Sequence, residues 1–236
     1  MSATEYRKAR ADAVGAAVVE HRGLPFVGTE VREMPNGSGG TKLRLTGYAS
    51  VTEAPYTLTD SQGTFTETIG TGAFRSTLAS RPDVNLLINH DGVSLARTKS
   101  GSLTLSEDST GLHVEARLDP ARPDVQILRS AIESGDLDEW SFAFRVNPGG
   151  DEWSDDYTKR RISDLSLQHG DVSVVNFGAS SHTAGLIDLR RRGWADPKQV
   201  ARRLATAGVT TAPRRAGGRH IDFYRARAYA HALRAK

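Results

Sequence analysis

The chain has no cysteine, which excludes a disulfide framework, thiol catalysis and any thiolate-held zinc or iron–sulfur centre. Long hydrophobic runs are also missing. Apolar stretches such as Val84 to Ile88, interrupted by Asn85, fall far short of the ~20 residues a membrane helix needs. Behind Tyr6-Arg7-Lys8 there is no apolar segment of the kind a secretory leader carries. Several catalytic signatures are absent as well: no Gly-x-Ser-x-Gly elbow, no Gly-x4-Gly-Lys-Ser/Thr loop, no Gly-x-Gly-x-x-Gly and no His-Glu-x-x-His. These absences predict an intracellular protein with no membrane span and no cofactor, and leave Ser, Thr, Lys, Asp and Glu as the available nucleophiles.

What is present is 236 residues with 38% hydrophobic and 25% charged side chains, ordinary globular material that can bury a core. The net charge of +3 conceals an asymmetry. Residues 187–236 hold 13 Lys and Arg against 3 acidic residues, whereas the rest of the chain holds 18 against 25. An acidic body with a basic tail suggests two separate tasks, and the tail invites an anionic partner such as nucleic acid or an acidic protein surface. A merely solvated tail is equally consistent with that composition.

Breaker chemistry divides the chain. Residues 3–22 are rich in Ala and charge, lack proline and predict a helix. Met34-Pro35-Asn36-Gly37-Ser38-Gly39-Gly40 reads as a linker, so residues 1–40 form an expected appendage. A core is expected over 41–186 and a basic tail over 187–236. Within the core, alternation and turn signals predict strands at 42–51, 64–69, 84–89, 101–106, 111–118, 139–147, 160–167 and 171–177. Two helical segments interrupt them: Gly72 to Leu78, and Asp124 to Glu133 with Val125, Ile127, Leu128, Ala131 and Ile132 as a stripe ended by Gly135. The expected fold is α+β, a closed or nearly closed, mostly antiparallel β-barrel with helices packed outside.

Three local features could carry chemistry. Leu86-Leu87-Ile88-Asn89-His90-Asp91-Gly92 is an apolar strand running into a polar turn, with His90 placed to serve as a general base or simply as a turn residue. In Glu139-Trp140-Ser141-Phe142-Ala143-Phe144-Arg145, period-two geometry puts the three aromatics on one face and Ser141, Ala143 and Arg145 on the other. A serine so held is rigidly presented, although a lone serine on a strand is more often only solvated. In His169-Gly170-Asp171-Val172-Ser173, alternation groups His169, Asp171 and Ser173, and an acid there could orient a histidine. His90, Asp91, His113, Glu115, His169 and Asp171 are also metal-ligand types, but their spacing matches no compact metal motif, so no metal is expected.

Taken in order, Gly72-Ala73-Phe74, Asn89-His90-Asp91, Gly111-Leu112, the helix closing at Gly135, Ser141-Phe142-x-Phe144 and Asp171-Val172-Ser173-Val174-Val175 resemble the prohead proteases of tailed bacteriophages. These capsid-maturation serine proteases are related in fold to the herpesvirus assemblins. The resemblance spans about residues 42–184. It implies a serine endopeptidase with His90 as base, Ser141 as nucleophile and Asp171 as third member. The family often has Glu at that last position, and the assemblins use a second histidine, which makes His169 the runner-up. Neither Arg160-Arg161 nor Arg145 can be fixed as an oxyanion donor from sequence.

The resemblance further implies the partners: the major capsid protein with its scaffolding segment, and the chain itself through self-cleavage, expected near 187–218. It implies action in the host cytoplasm inside the procapsid. Assemblins dimerise, which raises a homodimer here too, although no residue pattern marks its face. Two rival readings stand beside the protease. One is a catalytically silent structural protein of the same lineage whose basic tail binds capsid or nucleic acid. The other is a nucleic-acid-binding module, weakened because the core is acidic and its aromatics read as buried.

Overall fold

The structure, a computed structural model, describes residues 5, 18–35, 39–60 and 63–176. The expected basic tail at 187–236 and most of the expected helix at 3–22 lie outside the described residues. Sixteen elements follow in order: β1 (Glu20–Pro25), β2 (Glu30–Pro35), β3 (Thr41–Val51), β4 (Tyr56–Asp60), β5 (Gly63–Ile69), α1 (Arg75–Ala79), β6 (Asn85–Ile88) and β7 (Asp91–Arg97); then β8 (Leu103–Glu107), β9 (Gly111–Leu118), α2 (Pro123–Ser134), β10 (Glu139–Val146), β11 (Asp151–Trp153), β12 (Lys159–Ile162), β13 (Leu165–Ser166) and β14 (Asp171–Val175).

Among the described residues the strands form three sheets and no closed barrel, which corrects the sequence expectation. Their orders are β1-β10-β14-β6-β7 with β13 also on β10, β11-β12-β5-β4, and β2-β3-β9-β8. Two pairings, β14 with β6 and β12 with β5, are parallel. Parallel neighbours need long crossover connections, and alternation in the sequence cannot tell them from hairpins. Strands β1 and β7 stand at opposite ends of the first sheet, so it stays open.

The expected strands at 42–51, 64–69, 84–89, 101–106, 111–118, 139–147 and 171–177 appear with boundaries shifted by at most two residues. The segment 160–167 is split into β12 and β13, because Ser163 and Asp164 turn their N–H groups to the Gly150 carbonyl (2.7 and 3.0 Å) instead of to a strand. The first expected helix shortens to Arg75–Ala79, preceded by a turn over 71–74. Helix α2 starts on Pro123, has Asp124 in its first turn and ends on Gly135 in the left-handed conformation. Val125, Leu128 and Ile132 form its buried stripe, while Ile127 points to solvent.

Segment 20–35 departs most from the sequence reading. Residues 20–22 are strand, not helix, and Met34 and Pro35 end a strand where a linker was expected. β1 pairs antiparallel with β10, and β2 with β3, so this segment is built into two sheets of the core.

The core gathers around β10 and β3. Trp140, Phe142 and Phe144 are fully buried; Phe142 stacks on Phe144 at 4.9 Å and meets Phe74 edge-on at 5.7 Å. Burying a ring of this size stabilises by about 1.5–3 kcal/mol relative to leaving it exposed. Gly47 on β3 makes room for Trp140: a Cβ there would sit 2.4 Å from the indole nitrogen. That nitrogen donates to Thr29 Oγ1 at 2.8 Å, satisfying the one polar atom of a buried ring.

On the same side as the aromatics lies a buried ionic cluster. Arg160 donates to both carboxylate oxygens of Glu20 (2.8 and 3.0 Å), to Glu67 (3.0 Å) and to Asp151 (2.7 Å). Arg22 grips Glu67 with two hydrogen bonds (2.6 and 2.8 Å) and Glu20 with one (2.6 Å), and the Tyr56 hydroxyl donates to Glu67. The cluster ties β1 to β4, β5, β11 and β12, which belong to another sheet. Burial alone would raise the Glu20 pKa, but the Arg22 and Arg160 charges more than reverse this and hold it at about 2. Glu67 is depressed by the same two guanidinium groups acting against its burial.

Candidate active site

Strand β10 is the floor of the site. In register, Ser141 lies between Gly23 of β1 and Ser173 of β14, and the pleat turns its side chain away from the aromatics. Asp171 and Ser173 share that face, two residues apart on β14. Next along, β6 runs parallel to β14, placing Asn85 beside Asp171 and Leu87 beside Ser173. Its end delivers His90.

The turn between β6 and β7 explains how. Ile88 pairs with Asp91, leaving Asn89 and His90 as a two-residue connection with φ of +52° and +60°. Left-handed backbone at both positions is the primed hairpin geometry that usually carries Asn-Gly. A histidine in the second position bears strain of about 1–3 kcal/mol. Asn89 anchors the turn to the end of β14: its N–H donates to the Val174 carbonyl (3.0 Å), its side-chain amide donates to Asn176 Oδ1 (2.6 Å), and its Oδ1 accepts from the Asn176 N–H (3.1 Å). The turn therefore folds the imidazole back over the face that holds Ser141.

The result is a hydrogen-bonded line. His90 Nε2 is 2.7 Å from Ser141 Oγ, and His90 Nδ1 is 2.6 Å from Asp171 Oδ1. Asp171 Oδ1 also accepts from Ser173 Oγ at 2.5 Å. A carboxylate at Nδ1 accepts a hydrogen bond there, so the neutral ring carries Nδ1–H and offers its Nε2 lone pair to the serine hydroxyl. Ser141 and Ser173 are completely shielded from solvent, whereas the His90 and Asp171 side chains keep 13% exposure each. Such an arrangement can remove a proton from an alcohol while holding the imidazolium that results.

Each sequence-predicted residue can now be placed. His90, Ser141 and Asp171 come together although 51 and 81 residues separate the contacting pairs. His169, the runner-up for the third position, does not join them. It sits at φ +57° in the turn before β14, is exposed, and its ring meets the Gln168 side chain at 3.2 Å. Strand alternation begins only at Asp171, so His169 does not share that residue's face. Asp91 is exposed and binds the next backbone N–H, and His113 and Glu115 lie on β9 in another sheet. Of the candidate oxyanion donors, Arg160 is committed to the ionic cluster, Arg161 pairs with Glu53, and Arg145 donates to the Gln168 carbonyl at 3.2 Å.

One neighbour escaped the sequence reading. His21 of β1 pairs with Ala143, and its ring meets His90 edge-to-face with centroids 4.5 Å apart. Burial, followed by repulsion from His90 and Arg22, lowers its pKa from the usual value, with Asp171 opposing. His21 is therefore held toward its neutral form. Glu20-His21-Arg22-Gly23-Leu24 has polar residues on both faces of the strand, so no apolar alternation signals it.

Comparisons with known proteins bear on the family of the chain. No curated protein matches the sequence. Among solved structures, the chain is similar to the capsid assembly protease gp21 of bacteriophage T4, at 11% identity and a TM-score of 0.44, over 67% of this chain and 96% of that one. The sequence model of the caudovirus prohead serine protease family matches residues 29–194, well over half of the chain. This protein belongs to the caudovirus prohead serine protease family.

Proposed function

We propose that this chain is a prohead maturation endopeptidase that hydrolyses peptide bonds through Ser141, His90 and Asp171. The observation that carries the reading is the unbroken line Ser141 Oγ–His90–Asp171, at 2.7 and 2.6 Å, in a chain of this family. In the reaction, His90 Nε2 takes the Ser141 proton as Oγ attacks the scissile carbonyl, and later returns it to the leaving amine. Asp171 holds the tautomer and stabilises the imidazolium, with Ser173 keeping its carboxylate in place. Because Ser141 is wholly covered, a carbonyl reaches Oγ only when groups above it shift.

Within this reading the substrate is the scaffolding segment of the major capsid protein, followed by the chain itself near 187–218. The site of action is the procapsid interior, where the basic tail at 187–236 serves as a docking or packaging segment. The rival reading, a silent structural protein, gives no reason to retain a strained histidine bonded at both nitrogens. Co-expression with the capsid protein, read by mass spectrometry, tests the proposal. The wild type should remove the capsid protein's N-terminal segment, whereas Ser141→Ala and His90→Ala should leave it whole. Equal processing by all three would refute the assignment.

A further inference from the structure

His21, His90 and Asp171 each offer a ligand atom, and these atoms all lie within 4.8 Å of one another. Two imidazoles and a carboxylate are a donor set suited to a divalent transition metal, above all Zn²⁺. They come from three separate strands or turns: β1, the β6–β7 turn and β14. His90 Nδ1 and Asp171 Oδ1 already face each other at 2.6 Å. Tetrahedral coordination with metal–ligand bonds of about 2.1 Å separates neighbouring ligand atoms by about 3.4 Å. Opening the His90–Asp171 contact by about 1 Å and closing the separations to His21, which are at most 4.8 Å, toward about 3.4 Å therefore admits an ion. Strand β1 is held beside β10 by strand pairing and by the ionic cluster on its other side, so the adjustment falls to the side chains.

We propose that His21, His90 Nδ1 and Asp171 form an inhibitory site for Zn²⁺ or a similar divalent ion, with water as fourth ligand. The chemistry of inhibition follows from the proton count on one ring. In the resting line, the single N–H of neutral His90 is on Nδ1 and the free lone pair is on Nε2. A metal that takes the Nδ1 lone pair moves that one proton to Nε2. Nε2–H then donates to Ser141 Oγ and cannot accept its proton, so the base is disabled while every side chain stays in place. The ion also occupies the carboxylate that would stabilise an imidazolium. The inhibitory part of this inference rests on the catalytic reading of Ser141 and His90; the binding part does not.

Two measurements separate those parts. The first uses the full-length Ser141→Ala chain, which keeps all three ligands, and Co²⁺ as a spectroscopic probe of tetrahedral binding. One equivalent of Co²⁺ should give strong visible bands, and adding His21→Ala should weaken binding at least tenfold. His21→Phe, which preserves the ring packed against His90, serves as a second variant that keeps the fold. His113, His169, His182, His220 and His231 remain in every variant, so only binding that depends on His21 counts. The second titrates Zn²⁺ against proteolysis by the wild type and by His21→Phe. Inhibition should reverse with a chelator and require at least tenfold more Zn²⁺ in the variant. Equal Co²⁺ binding with and without His21 overturns the site. Binding that depends on His21 but leaves proteolysis untouched overturns the tautomer mechanism. If the wild type cleaves nothing, the catalytic reading fails while the Co²⁺ result still decides the site.

Discussion

On one face of β10, Trp140, Phe142 and Phe144 are packed against Phe74, Gly47 and the Glu20–Arg22–Glu67–Arg160 cluster; on the other, Ser141 is hydrogen-bonded to a histidine swung in from a turn. The first face is secured by volume and by charges with several partners each. The second depends on three hydrogen bonds of 2.5–2.7 Å and a left-handed backbone at His90. A strand overdetermined on one side can carry a lightly supported, strained constellation on the other. Changes on the two faces should therefore separate cleanly, activity being lost on one and stability on the other.

The largest effect should come from Ser141→Ala, with a fall in kcat on the order of 10⁶-fold and a denaturation midpoint equivalent to a change of no more than about 1 kcal/mol. Cleavage of a capsid-derived peptide and urea unfolding measure the two. Asp171→Asn should lower kcat by about 10⁴-fold by favouring the wrong tautomer, whereas His169→Ala should leave it unchanged. A reversed order would move the third position to His169.

On the opposite face, Arg160→Met leaves Glu20 and Glu67 with a buried charge less well compensated. It should cost about 3–5 kcal/mol in urea unfolding. The cluster also sets an acid limit. Because the folded Glu20 pKa is held at about 2 against an ordinary 4.5, its stabilisation is complete above about 4.5 and is lost as the pH falls from there through 2. Unfolding free energy should drop across that window, and less steeply in Glu20→Gln. The smallest change, one methyl in Gly47→Ala, drives a carbon into the Trp140 ring and should cost about 1–3 kcal/mol by thermal unfolding.

How much of this was legible in the sequence depended on period and on distance. The three aromatics of β10 declared their face through strict alternation, and Ser141 followed from it. Asp171 and Ser173 likewise shared a predicted face, and their hydrogen bond confirms it. Strand β1 stayed hidden because both of its faces are polar: Glu20 and Arg22 enter the ionic cluster and His21 turns to the site, so no apolar alternation marks it. The parallel pairing of β14 with β6, which sets His90 against Asp171, links residues more than 80 apart and leaves no local trace. His169 was placed with Asp171 by extending alternation past Gly170 into a turn.

The position of β1 at the rim of its sheet carries one more consequence. Through six paired positions, from Glu20 opposite Phe144 to Pro25 opposite Glu139, it occupies the hydrogen-bonding groups along one border of the strand that carries Ser141. A chain trimmed to begin at residue 41 would bare that border, an unpaired ledge on which other chains could grow. The larger the concentration of such a chain, the further that edge-to-edge growth should run.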